Sequence, residues 1–197
     1  MMAHASQGGA SRSRPWTRVG AASIGAHVFY ELACGVAMPF SSIRGPAVAA
    51  AGWLAGTTAS YTVASRAPRT YDPAMGMMNG LFLSAVVAHF IYWPTRRTVG
   101  VPWLTECEGL RGPVMVPYNA ILYTSGVAAI AGLVENGRGR RWGTTVPFLV
   151  VPVLLVVQDI EFHRLERQAR HRPAWWNRRL RRTQTELLTS SSPGSAN

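Results

Sequence analysis

The sequence predicts an all-α protein: a polytopic transmembrane helical bundle of about five spans. Three observations predict it. Five apolar runs approach the length needed to cross a bilayer core, at about 20 residues each. Short polar connections separate them. All 20 basic residues are arginine and gather at run ends and in the C-terminal tail. That placement matches charge at a membrane surface, so the net charge of +11 is assigned to anionic lipid headgroups, and no nucleic-acid partner is expected.

The elements follow in order. Residues 1–18 are rich in Ser, Gly and Arg without apolar periodicity, and are expected to be disordered. Arg12, Arg14 and Arg18 before an apolar run imitate a signal peptide, but the run is long for one and no small-residue cleavage site follows. The first span, 19–40, is therefore expected to stay as an anchored helix. Its 22 residues give about 33 Å of helix. Near its middle sits Glu31, and a carboxyl at that depth costs about 2.5–3.5 kcal/mol on insertion scales. The second span, 45–64, is rich in Gly, Ala and Thr, a composition that lets helices approach closely. The third, 74–93, places Asn79, Leu83, Val86, His89 and Trp93 along one stripe. Tyr92, Trp93 and Pro94 before Arg96 and Arg97 read as an aromatic belt with a basic collar.

The loop 98–112 carries Glu106 and Glu108 and reads as a solvated connection or a short lid. The fourth span, 113–134, holds Tyr118, Asn119 and Tyr123. The fifth, 144–162, contains Pro147 and Pro152, which free backbone carbonyls and favour a kink. It ends with Asp159 four residues before His163. Residues 163–188 read as a basic interfacial helix or segment with Trp175 and Trp176 facing lipid, and 189–197 as a disordered tail. Thus the bundle domain is 19–162. Five spans put the termini on opposite sides, and eight arginines between 164 and 182 point to a cytoplasmic C-terminus at the cell membrane. Cys34 and Cys107 fall at very different expected depths, so no disulfide is expected.

No Walker, GxSxG or HExxH pattern is present, and no metal or cofactor site is expected. What remains are two embedded acids, Glu31 and Asp159, among aromatics. A carboxyl in an apolar pocket tends to hold its proton and can donate it. Aromatic faces favour a carbocation, and dry walls protect it from water. His27, one turn before Glu31, is positioned to hydrogen-bond it. Tyr30, Trp53, His89, Trp93, Tyr118, Asn119 and Tyr123 are candidate pocket walls, although a bond to a neighbouring helix is the default role of His89 and Asn119.

The run His27-Val-Phe-Tyr-Glu31-Leu-Ala-Cys-Gly35 resembles the aromatic-Glu segment of the integral-membrane terpene cyclases, and Val157-Gln-Asp159-Ile resembles their second acidic position. That resemblance implies a metal-independent isomerase or lyase of secondary metabolism, with no cofactor. It would protonate the alkene or epoxide of a farnesyl-type chain on an indole or other aromatic acceptor, giving meroterpenoids or indole sesquiterpenoids. Glu31 and Asp159 would be the acids, and a hydrophobic prenylated small molecule the substrate. A five-helix enzyme resembling sterol isomerases would use the same acid chemistry. A small transporter, a lipid-binding protein and an accessory subunit of a membrane complex are the non-catalytic alternatives.

Overall fold

The computed structural model describes residues 14–180. The chain is mostly helical, with five long helices: α1 (Pro15–Cys34), α3 (Pro46–Arg66), α4 (Asp72–Tyr92), α5 (Met115–Glu135) and α6 (Arg140–His171). A single turn, α2 (Ser41–Arg44), joins α1 to α3. Among the described residues, three stretches are long and apolar enough to cross a membrane: Arg69–Tyr92, Gly112–Glu135 and Gly137–His171. Their outward faces fit lipid; on α6, Phe148 and Leu149 are 82% and 73% exposed.

The helices pack in the spatial order α3, α1, α5, α4, α6. The α4–α6 crossing depends on four glycines. Cβ atoms on Gly76 or Gly80 would strike the backbone of Gly139 or Gly143, so only hydrogen allows this approach. The second span's small residues do not serve this purpose. Gly52 and Gly56 of α3 face open space, and α3 buries only Ala49 and Ala64.

Several boundaries differ from expectation, and the first helix ends at Cys34 rather than at residue 40. Pro15–Arg18, assigned from sequence to a disordered leader, form the first turn of α1; residues 1–13 lie outside the described residues. The helix starts early because Arg14 is tied down. Its guanidinium donates to Asp72 Oδ1 (2.8 Å), Asn136 Oδ1 (2.9 Å) and the carbonyls of Ala67 (2.6 Å) and Pro68 (2.9 Å). Pro15 follows, with its ring angle suited to a first helical position. The Glu135 carboxylate accepts from the free amides of Trp16 (3.1 Å) and Thr17 (3.0 Å), which the helix cannot satisfy itself. At the other terminus α6 continues to His171 through Pro147 and Pro152.

The connection 95–111 is neither a bare loop nor a helix. It forms two antiparallel hairpins, β1 (Thr95–Thr98) with β2 (Val101–Leu104), and β3 (Glu106–Cys107) with β4 (Leu110–Arg111). Each turns through two residues at positive φ, Val99-Gly100 and Glu108-Gly109, the geometry that matches the twist of paired strands. Leu104, Cys107 and Leu110 are buried against Tyr118 and Leu122, so the hairpins cover one end of the bundle.

The segment after α6 also departs from the lipid-facing reading. Trp175 is exposed, but Trp176 packs on Leu165 and Ala169. The chain folds back onto the end of α1: Trp176 O accepts from Ala37 N (2.7 Å), and Arg179 Nε donates to Cys34 O (2.9 Å). An arginine thereby satisfies a carbonyl that the helix end leaves without a partner. Residues 181–188 and the tail 189–197 lie outside the described residues.

Candidate functional site

The inward face of α1 repeats every three or four residues, through Thr17, Gly20, Ile24, His27, Val28 and Glu31. Gly35, in the left-handed conformation, ends the helix one turn later, and its amide bonds to Glu31 O (3.1 Å) and Leu32 O (3.0 Å). Glu31 is thus held rigidly, 1% exposed, between α4, α5 and the hairpins.

Four side chains converge there. Tyr118 on α5 donates its hydroxyl to Glu31 Oε1 (2.7 Å). His27 Nε2 lies 2.9 Å from both Glu31 Oε1 and the Tyr118 oxygen. Because the Tyr118 hydrogen is already committed, one His27 Nε2–H shared between the two oxygens satisfies the triangle. His89 on α4 stacks edge-on against His27, with ring centroids 4.7 Å apart, and brings Nε2 to 3.8 Å from Glu31 Oε1. Cys107 Sγ, delivered by β3, lies 3.1 Å from the Tyr118 oxygen.

The tautomer of His89 decides what this group can do. Its Nδ1 is 2.7 Å from Ala85 O, and a carbonyl only accepts, so Nδ1 carries a hydrogen. A neutral ring would then aim the Nε2 lone pair at a carboxylate. One positive charge between them removes that repulsion, either a proton on Nε2 or a bound cation. No arginine bonds Glu31 among the described residues. His27, Glu31 and His89 also offer three ligand atoms within 4.8 Å of one another, a set suited to a transition metal through two imidazoles and a carboxylate. The Nδ1–H to carbonyl bond is the outer contact that orients a metal-ligating histidine.

The other expected site residues divide. Asn119 serves structure: it accepts from Leu104 N (2.9 Å) and donates to Leu104 O (3.0 Å) and Met115 O (2.7 Å), pinning the hairpins to α5. Tyr30 points its hydroxyl at Val114 O (2.8 Å), while its ring lies 6.1 Å from that of Tyr118. Tyr123 bonds Pro102 O and stacks on Trp103, again in the hairpin contact. Trp93 is buried edge-on against Phe162, so it is core rather than an aromatic belt. Trp53 does not reach the group. It donates to Pro39 O (3.2 Å) and packs with Val28, Met38 and Ala49.

Asp159 is not brought to Glu31. Its side chain is 50% exposed, accepts from Tyr92 OH (2.6 Å) and lies 3.5 Å from His163 Nε2. Helix α6 turns it away from α1, toward Tyr92 and the surface.

Cys107 and Glu108 went unassigned from the sequence. Cys107 lies in the same apolar cluster that Cys34 packs against, and both are free thiols. Burial, then the charges of Glu108 and Glu31, push the Cys107 thiol up. Glu108 at the tip of the second hairpin is also pushed well above the usual carboxylate range, by burial and then by Glu31 and Glu161. The Glu-Gly pair at 108–109 was the available signal: a two-residue turn that returns the chain over the bundle. No family model, curated protein or solved structure matches this chain.

Proposed function

We propose that this chain is a five-span membrane enzyme that protonates a hydrophobic, prenyl-type substrate and guides its cyclisation without a metal. One observation carries the reading: a buried carboxylate, Glu31, meets the Nε2 of His89, whose other nitrogen is committed to a backbone carbonyl. At 3.8 Å the two groups do not share a hydrogen bond, so one of them carries the proton, out of reach of bulk water and ready for an alkene or epoxide. Tyr118 and His27 fix the carboxylate and stabilise it once the proton has left. In this reading the partner of Glu31 is His89 rather than Asp159. The hairpins 95–111 act as the cover, opening to admit the prenyl chain from the bilayer. The arginines at the end of α6 support a cytoplasmic C-terminus at the cell membrane.

The test is conversion of a farnesylated indole by membranes that contain the protein. Glu31→Gln keeps the shape and removes the acid, so turnover should fall by about 100-fold or more. Wild-type turnover in a normally expressed Glu31→Gln variant would defeat the proposal. Unchanged substrate with wild-type protein would favour a transporter, a lipid-binding protein or an accessory subunit instead.

A second reading is favoured by the three ligand atoms within 4.8 Å. A divalent transition metal would take the place of that proton and make the site a Lewis acid. Elemental analysis separates the two readings: stoichiometric metal that is lost in His89→Ala supports the second.

A further inference from the structure

A second constellation lies at the C-terminal end of α6, where that helix faces the turn between α1 and α3. A cavity of about 580 Å³ is lined there by Arg164, Arg167, His171 and Arg172 of α6 and its end, together with Ser41 and Ser42 of α2. Its size lies within the range of small-molecule sites. Among the described residues, no carboxylate lines it. The nearby Glu161 is already engaged, accepting from Ser42 N (3.1 Å) and the Ser42 hydroxyl. Gln168 Nε2 donates to Ser42 O (2.7 Å), so the wall is pinned before any ligand arrives.

Two features ask for an anion. Arg164, Arg167 and Arg172 line the cavity and make no side-chain ion pair or hydrogen bond among the described residues, leaving their guanidinium donors available beside it. Ser41 is 2% exposed, and its hydroxyl is buried without a partner. A buried donor without a partner is costly unless a ligand supplies the acceptor. Guanidinium forks match phosphate oxygens in pairs, and a phosphate group has enough oxygens to take both kinds of donor. We infer that this cavity binds the phosphate of an anionic ligand, independently of the chemistry at Glu31. Phe40 and Ile43 are exposed beside it, which suits a ligand whose phosphate ends an apolar chain.

A lipid headgroup and a free phosphate compound share this chemistry, and two arms separate them. In the first, the full chain in phosphatidylcholine nanodiscs is titrated with inorganic pyrophosphate at low salt. In the second, the protein is extracted from vesicles containing phosphatidylglycerol, and bound lipid is counted by native mass spectrometry. The Arg167→Gln/Arg172→Gln variant alters side chains that hold nothing else in place. An Arg138→Gln/Arg140→Gln variant makes the same charge change at the opposite end of α6 as a control. Pyrophosphate affinity that falls at least about tenfold only in the first variant identifies a site for free phosphate compounds. Phosphatidylglycerol retained by wild type and control, but lost from the first variant, identifies a headgroup site. Equal behaviour of all three proteins in both arms, or equal loss from both variants, overturns the inference. Single Arg167→Gln and Arg172→Gln proteins, each expected to show a smaller loss of the same kind, decide the matter if the double variant fails to fold.

Discussion

Removing one oxygen, through Tyr118→Phe, tests whether the phenol organises the buried carboxylate. The ring is fully buried and stays in place, so no cavity opens and packing against Leu122 and Leu104 survives. What disappears is the donor to Glu31 Oε1 at 2.7 Å and the acceptor 2.9 Å from His27 Nε2. A hydrogen bond to a charged group contributes about 1.5–3 kcal/mol, and Glu31 is buried away from bulk water. A loss of about 2 kcal/mol is expected, equal to about 4–8 °C in melting temperature for a chain of this size. The assay is thermal unfolding in detergent, followed by tryptophan fluorescence. A cycle with Glu31→Gln adds specificity. An amide in place of the carboxylate leaves only a neutral hydrogen bond to lose, so Tyr118→Phe should cost about 1 kcal/mol less in that background. Unfolding of Tyr118→Phe within about 1 °C of wild type would refute the reasoning. So would an identical loss in both backgrounds, because the hydroxyl would then act on something other than the carboxylate.

Two further outcomes follow from groups away from the centre. Arg14→Ala leaves Asp72 buried without its cation, a change that costs about 3–5 kcal/mol, so the melting temperature should fall by about 10 °C; a shift below about 2 °C would show that the knot at that end contributes little. Glu108 has its folded pKa raised, so as pH rises past the usual carboxylate value of about 4.3 the unfolded chain releases that proton first, and stability falls until the folded group also ionises. Glu108→Gln removes this loss, and its melting temperature relative to wild type should be higher at pH 8 than at pH 5. An equal difference at both pH values would count against a carboxyl held neutral by burial, Glu31 and Glu161.

Periodicity and composition carried much of the architecture. The five apolar runs became five long helices because an apolar stretch of about 20 residues has few other ways to satisfy its backbone. The pairing of His27 with Glu31 was legible because residues four apart on a helix share a face whatever surrounds them. The convergence of Tyr118 and His89 on that pair was not legible, since it depends on which helix lies beside which. That order is decided at the α4–α6 crossing, where glycines bring two backbones into contact, and at the Arg14 knot, which joins three helix ends.

Asp159 and Cys107 mark the same divide from opposite sides. Asp159 looked like a partner of Glu31 by residue type and depth, yet the rotation of α6 gave it to Tyr92 and the surface. Cys107 fell by sequence in the loop 98–112, yet two short hairpins, pinned by Asn119, carried it onto Tyr118. By itself the sequence determined which residues form each helix and which of them share its inward face, because these follow from spacing along one chain. Only the tertiary structure decided which faces meet, because helix rotation and the return of a hairpin are set by contacts between residues far apart in the chain.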